Sequence, residues 1–339
     1  MSPFRVADCH LHFEGSLPVD ALEALARRAG HRFSDRTRFE AERSRVRDRA
    51  GFLALYGDVC ALFRSPEDYG ETARAIAFSV GEGGAAYAEI YVSPEIPARF
   101  GLEPAACLTA IDRGFREAEA DGAPRCRILL DAVRQWGPES ADRVLDLHEK
   151  TRLPSVVGFG LGGDELALPA AAFAGAYARA RALGLRTSVH AGEWDGVQSL
   201  TEALDQLRPD RVDHGIAAVD DPRLLARLSE EATALWVAPT SNIATGAVDA
   251  IENHPLSRLL DAGVCVALGA DDPLLFATTT ARELDLVREK LGYGDRTMRL
   301  LAENSWRAAF AAPRESKTGN RRPKGGPATR LSSADRFPV

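Results

Sequence analysis

The sequence predicts an α/β protein built as a (β/α)8 TIM-type barrel, and three observations predict it. Eight short apolar runs, near residues 4–9, 85–92, 126–132, 155–160, 185–190, 211–213, 234–238 and 264–270, each fit a buried strand. Stretches of helical spacing separate them, and repeated strand-then-helix order makes a parallel sheet with helices outside. Chemistry-bearing residues recur just after the runs, where a barrel collects its reactive groups. A doubly wound open sheet is the other arrangement of this order, but no G-x-G-x-x-G follows any run.

Bulk properties agree with that class. A chain of 339 residues suits one barrel, read as a single domain over residues 1–312. With 45% hydrophobic and 27% charged residues it can build a large core. A net charge of −7 argues against a general nucleic-acid binder and for a small-molecule partner, and leaves oligomeric state open. Cys9, Cys60, Cys107, Cys126 and Cys265 are odd in number and contain no C-x-x-C pair, which fits buried free thiols in a reducing compartment. No apolar run approaches a membrane span and the N-terminus lacks a signal core, so a cytoplasmic protein is expected. Residues 313–339 are rich in Gly, Pro, Ser and basic side chains, and read as a disordered basic tail.

Taken in order, the first run leads into Asp8-Cys9-His10-Leu11-His12-Phe13-Glu14-Gly15-Ser16-Leu17-Pro18. Alternate side chains of a strand share a face, so His10 and His12 point the same way and one metal ion can take both. Pro18-Val19-Asp20 opens a helix to about residue 29, with Asp20 near its positive end. Residues 31–50 alternate in charge sign, which fits a solvated helix or loop. The spacing of Phe52, Leu55, Tyr56, Val59 and Leu62 predicts a helix over 51–64, and a second follows over 66–81. These extra helices after strand 1 are candidates to cover a pocket. Further helices are predicted over 104–120, 139–151, 170–183, 196–207, 221–231, 255–262 and 296–311.

Polar motifs end the strands. His10 and His12 end strand 1, Gly162-Gly163-Asp164-Glu165 follows strand 4, and His190-Ala191-Gly192-Glu193 ends strand 5. Asp213-His214-Gly215, Pro239-Thr240-Ser241-Asn242 and Asp271-Asp272-Pro273 end strands 6, 7 and 8. A barrel brings these to one rim. His10, His12, His190 and Asp271 then form a ligand set for a borderline metal such as Zn²⁺, with an open position for an activated water. Glu193 places an acid beside the metal. Adjacent carboxylates Asp271 and Asp272 repel in a dry pocket, and a cation compensates. His31, His148 and His254 read as surface or capping residues.

These five motifs, in this order, resemble those of the adenosine/adenine deaminases of the metal-dependent amidohydrolase superfamily, over roughly residues 4–311. The resemblance implies one zinc per chain on His10, His12, His190 and Asp271. It implies that Glu193 protonates purine N1 while a metal-activated water attacks C6. His214 would stabilise that nucleophile, Asp271 would assist its deprotonation, Asp272 would bind N7, and the Gly163 backbone N–H would bind N3. The reaction implied is zinc-dependent hydrolytic deamination of an adenosine-type 6-aminopurine nucleoside to the 6-oxopurine and ammonia. The alternative keeps this chemistry on free adenine or on a 5′-modified adenosine such as aminodeoxyfutalosine; a non-catalytic purine-binding protein and a metal hydrolase of non-purine amides or esters are further readings. Glu14, a substrate-binding candidate by the same resemblance, stands where animal-type adenosine deaminases carry an aspartate toward the ribose; this and Asp213 look like the free-base branch. Gly162 to Glu165 and Thr240 to Val248 look like the nucleoside branch. No lysine ends strand 4, which disfavours a carbamylated-lysine two-metal site.

Overall fold

The computed structural model describes residues 4–310. Eight parallel strands, β1 (Val6–His12), β2 (Ala85–Val92), β3 (Arg125–Val133), β4 (Val156–Gly162), β5 (Arg186–Ala191), β6 (Arg211–His214), β7 (Ala234–Val237) and β8 (Val266–Leu268), lie in sequential order. Each of β1 to β7 pairs in parallel with the next in sequence. A parallel bridge between Leu11 and Asp271 joins the two ends, so the sheet is a nearly closed barrel. The strands are buried on both faces, as strands covered by helices outside and packed side chains inside must be. The expected basic tail, residues 313–339, lies outside the described residues.

The seam between β8 and β1 is made of residues that also carry chemistry. Asp271 donates its N–H to the His10 carbonyl (2.8 Å), and His12 donates to the Asp271 carbonyl (3.0 Å). Asp8 ties the same seam from within. Its buried carboxylate accepts from the N–H groups of His10 (3.2 Å) and Ala270 (3.1 Å) and from the Thr280 hydroxyl (2.6 Å). Burial pushes its pKa up to about 7.

Between β1 and β2 run four helices, α1 (Val19–Ala29), α2 (Arg36–Arg43), α3 (Arg49–Cys60) and α4 (Pro66–Glu82). Local signals set their ends. Gly30 adopts φ 64° to close α1, while Asp35 and Asp48 cap α2 and α3. Ser65 and Asp68 form a reciprocal capping box around Pro66 at the start of α4. The charged segment before α3 is more anchored than its composition implies: Phe33 and Phe39 are fully buried and edge-packed, while Arg32 pairs with Glu42 and Asp58.

Past β2 the predicted helices appear as α6 (Pro104–Ala120), α7 (Pro138–Thr151), α8 (Ala174–Ala182), α9 (Gly196–Glu202), α10 (Pro222–Glu231), α12 (Leu256–Asp261) and α15 (Asp295–Ala308). Four others have no counterpart in the apolar pattern: α5 (Glu95–Arg99), α11 (Pro239–Ala244), α13 (Pro273–Phe276) and α14 (Thr280–Lys290). Three are single turns opened by, or built around, a proline after a strand. The fourth, α14, has a Thr279 cap but few apolar residues, of which Leu284 and Val287 are buried. At the end of the barrel opposite the motifs, Arg211 and Glu89 pair at 2.5 Å with both side chains fully buried, and the Arg211 guanidinium lies 4.0 Å over Phe310. Such a pair needs its other hydrogen bonds filled, and the Cys9 carbonyl and Tyr87 hydroxyl fill them.

Cys9, Cys60, Cys107 and Cys126 are buried and free, as expected, whereas Cys265 is half-buried. No helix among the described residues is long and apolar enough to cross a membrane.

Candidate active site and metal centre

Strand alternation sends His10 and His12 into the barrel, β5 and β6 deliver His190 and His214, and the turn after β8 delivers Asp271. Ligand atoms of His10, His12, His190 and Asp271 all lie within 4.8 Å of one another. The Nε2 atoms of His10 and His12 are 3.2 and 3.1 Å from His190 Nε2, and 3.5 and 3.2 Å from Asp271 Oδ1. Donors held about 2.0–2.2 Å from one tetrahedral ion are about 3.3–3.6 Å apart, so the set already has the spacing of a zinc-sized site. Its donor chemistry fits as well. His10 Nδ1 faces the Trp236 carbonyl at 3.1 Å and His190 Nδ1 faces the Leu161 carbonyl at 3.2 Å. Each carbonyl keeps the proton on Nδ1 and leaves the Nε2 lone pair for a cation.

Two site residues sit in left-handed backbone, His214 at φ 64° and Asp271 at φ 59°. That conformation is costly for a side chain with a Cβ and persists where the surroundings enforce it. At Asp271 the enforcement is the two seam hydrogen bonds.

Glu193 is placed by Glu165. The Glu165 carboxylate accepts four successive backbone N–H groups, from Gly192 (2.5 Å), Glu193 (3.1 Å), Trp194 (2.7 Å) and Asp195 (3.3 Å), plus the Ser199 hydroxyl (2.6 Å). This fixes the turn that Gly192 opens at φ 70°. The Glu193 side chain then meets the Asn242 amide at 2.8 Å and His214 Nε2 at 3.4 Å. Burial first, then the charges of Asp271 and Glu165, push its pKa well above the usual carboxylate range.

Asn242 also faces His214. Its Nδ2 lies 3.1 Å from His214 Nδ1, and its Oδ1 is 3.3 Å from His254 Nε2. An amide NH2 can only donate, so His214 accepts at Nδ1 and carries its proton on Nε2. That proton lies on the side of Glu193 and Asp271, whose Oδ2 is 3.9 Å away. His254 was expected at the surface or in a cap. It does accept the Leu256 N–H at 3.2 Å, but it is buried, and burial lowers its pKa to about 4. His31 accepts the Phe33 N–H as a cap, while His148 is buried in α7 rather than at the surface.

Asp272 is buried, and neither carboxylate oxygen has a hydrogen-bond partner among the described residues. Burial and the neighbouring Asp271 raise its pKa well above the ordinary value. Gly15 is required beside it, because any Cβ at position 15 would overlap the Asp272 carboxylate.

A cavity of about 250 Å³ opens over these groups and is lined by His12, His190, Glu193, His214, Asp271 and Asp272. Gly163, at φ 89°, lines it too. Helix α3 forms part of the wall through Phe52, Leu53 and Tyr56, so of the extra N-terminal helices α3 covers the pocket. Glu14 does not line the cavity. Its buried carboxylate accepts the Tyr56 hydroxyl at 2.9 Å, and burial raises its pKa to about 7.

The sequence assigned no role to Glu165 or Asn242, although both stand inside its motifs, and it passed over Arg134. That buried arginine donates to the His190 carbonyl at 2.6 Å and to the Leu168 carbonyl at 3.1 Å, holding the end of β5. A charged residue directly after the apolar run of β3 was the available signal. Asp213 is buried beneath the ligands, accepting the hydroxyls of Tyr91 and of Ser188 (2.6 Å), with His190 Nδ1 at 3.9 Å.

A parallel barrel with three imidazoles and a carboxylate converging at its strand ends, beside a buried acid, defines a metal-dependent hydrolase. The family model "Adenosine deaminase" matches residues 6–319, and the chain belongs to that family. It is 35% identical over 304 residues to an adenine deaminase of Chelativorans sp. (strain BNC1), covering 90% of this chain and 93% of that one. It is also 35% identical to an adenine deaminase of Sinorhizobium medicae (strain WSM419), covering 90% and 94%. Among solved structures it resembles adenine deaminase from Arthrobacter aurescens, with 31% identity, a TM-score of 0.87 and coverage of 91% and 95%. An amidohydrolase from Burkholderia ambifaria with bound Zn superposes with a TM-score of 0.81 at 26% identity, covering 91% and 86%. The protein is a deaminase-type hydrolase that acts on purines.

Proposed function

We propose that this protein removes the 6-amino group of an adenine ring by hydrolysis, giving the 6-oxopurine and ammonia, with one zinc held by His10, His12, His190 and Asp271. The observation that carries the reading is the placement of a proton-retaining Glu193 beside the metal ligands in one cavity. Zinc, when bound, supplies Lewis-acid activation of a water molecule at neutral pH. Glu193 delivers a proton to N1, which must be neutralised as C6 becomes tetrahedral. His214 offers its Nε2–H to the oxygen at C6, and Asp271 takes up the proton that oxygen sheds and returns it to the amino group, which departs as ammonia when the C6–N bond breaks. N7 of the purine is an acceptor, so Asp272 must donate to it, and its raised pKa suits that task. Gly163 offers a backbone contact for N3.

The sequence put an adenosine-type nucleoside first, but the 35% identical relatives named adenine deaminase support its alternative, free adenine, better. The Glu14–Tyr56 hydrogen bond supports the same reading, because the carboxylate that stands where animal-type adenosine deaminases carry their ribose-facing aspartate accepts Tyr56 instead. A second reading, adenine substituted at N9 as in a 5′-modified adenosine, is favoured by the cavity beyond the acidic residues, where Phe52, Ile96, Phe100, Trp136 and Trp194 extend the wall. Ammonia release by the zinc-loaded protein from adenine, adenosine, 2′-deoxyadenosine, methylthioadenosine and aminodeoxyfutalosine tests the reading. Release from at least one is expected, the order among them ranks the two readings, and release from none rejects deamination.

A further inference from the structure

We propose that Arg99, laid flat on Trp136, is an anion subsite for a negatively charged group carried at the far end of a substituent on the purine N9. The proposal deepens the second substrate reading and rests on the deaminase assignment. Arg99 ends α5, the short helix after β2, and its guanidinium carbon is 3.9 Å from the Trp136 ring centroid. Both residues line the same cavity as Glu193 and Asp272. Stacking on an indole holds a guanidinium flat while leaving its N–H edges open, the geometry that grips a carboxylate or phosphate with two hydrogen bonds.

Arg99 is the arginine among the residues that line this cavity, and it has no acid. Other arginines near the site or on its helices are paired: Arg49 with Asp164, Arg143 with Glu95, Arg179 with Asp146 and Glu149. No carboxylate among the described residues lies within ion-pair distance of Arg99. The acid on its own helix, Glu95, is taken by Arg143 at 2.5 Å and by the Ser140 hydroxyl at 3.1 Å. A second unsatisfied donor lies in the same wall: Trp194 lines the cavity, and its buried indole N–H has no acceptor among the described residues.

The layout of the cavity orients the ligand. Its buried part holds the metal ligands with Glu193 and Asp272, groups that the purine ring engages. Arg99 and Phe100 are exposed, so the guanidinium offers its charge at the solvent-facing side of the cavity. Phe52, Leu53 and Ile96 add apolar wall to the same cavity, so the uncharged part of the substituent has apolar surface to cover. Free adenine carries no group that would reach Arg99.

The test compares kcat/KM for deamination of 5′-methylthioadenosine with its acid, 5′-carboxymethylthioadenosine, in the zinc-loaded wild-type and Arg99→Met proteins. Adenosine 5′-monophosphate and 5′-(carboxybenzylthio)-5′-deoxyadenosine extend the series to a phosphate and to a longer aromatic reach. The acid is expected to exceed the neutral compound about tenfold or more, a loss of one charge-assisted contact being worth about that factor. In Arg99→Met that ratio falls to about one, and Arg99→Lys recovers part of it. Whichever anionic compound shows the largest ratio names the source of the charge. An unchanged ratio in Arg99→Met, or no preference for any anionic compound in the wild type, overturns the subsite. Calorimetric binding of the same compounds to Glu193→Gln protein separates the two layers. Arg99-dependent charge preference in binding without turnover of any compound keeps the subsite and rejects deamination, whereas turnover of adenine with no charge preference keeps deamination and rejects the subsite.

Discussion

Glu165 accepts the backbone N–H of Glu193 at 3.1 Å while binding the three neighbouring N–H groups as well, so one carboxylate fixes the turn on which the proposed acid stands. Its replacement by Gln puts an NH2 group against those donors. Glu165→Gln is expected to lower kcat about 10- to 100-fold, the equivalent of about 1.5–3 kcal/mol, with zinc content unchanged by atomic absorption. A fall in KM alone, or loss of zinc in proportion to activity, would contradict a positioning role.

Replacing the acid itself should cost more. Glu193→Gln retains shape and the Asn242 contact but cannot deliver a proton at neutral pH, and a drop of about 10³-fold or more in kcat is expected. Metal binding should survive, because Glu193 is outside the ligand set. Residual turnover above about a tenth of wild type would remove Glu193 from the proton-donor role.

The pH profile carries a sign. Glu193 must be protonated to act, and burial with Asp271 and Glu165 raises its pKa, so activity holds below that raised pKa and falls as pH rises through it. The Asn242 hydrogen bond works in the opposite direction, favouring the carboxylate. Asn242→Ala is therefore expected to move the alkaline limb of kcat/KM to higher pH even as the maximum falls through misorientation of His214. A limb that stays in place or moves to lower pH contradicts the assignment.

Stability should report on His254. Its pKa is about 4 in the folded chain against about 6.5 when unfolded, so the unfolded state binds the extra proton between those values. The contribution is complete above about pH 6.5 and is lost as pH falls towards 4, on the order of 3 kcal/mol. Urea unfolding of His254→Gln should be flatter across that window than wild type, though less stable at neutral pH. Equal slopes for the two proteins would mean another group controls acid sensitivity.

Removing the metal should weaken the fold. Asp271, Asp272 and Glu193 crowd one buried site with three imidazole nitrogens turned inward, an arrangement that a cation relieves. A strong chelator is expected to abolish activity and lower Tm by several degrees, and zinc to restore both. An unchanged Tm with full loss of activity would show the ligand set to be stable without its ion.

Much of this architecture was legible because it is periodic or local. Strand β2 and helix α6 were read to the residue, since an apolar run and a 3.6-residue repeat bounded by Gly and Pro leave little room for slippage. Single turns such as α11 and α13 carry too few residues to show a period, and α14 is held chiefly by the buried Glu283, which accepts the Thr240 N–H at 3.1 Å. The ligand set was legible because three strand ends supplied metal-binding types. Its support was not: Glu165, Asn242 and Arg134 act through contacts between distant segments, which no spacing in one sequence announces. Glu14 shows the same limit, since its partner Tyr56 lies on a helix whose approach only the fold determines.

The bridge between Leu11 and Asp271 joins segments from opposite ends of the described chain. Bringing such segments together costs roughly 5 kcal/mol of chain entropy for a loop of a few hundred residues. In the bare protein two backbone hydrogen bonds, the Asp8 cross-ties and the packing of α15 on β1 offset that cost; an ion on His10, His12 and Asp271 would add coordination that staples β1 to the segment after β8. A metal bound there would act as a clasp on the barrel, and closure of the ring would become sensitive to how much of that metal surrounds the folding chain.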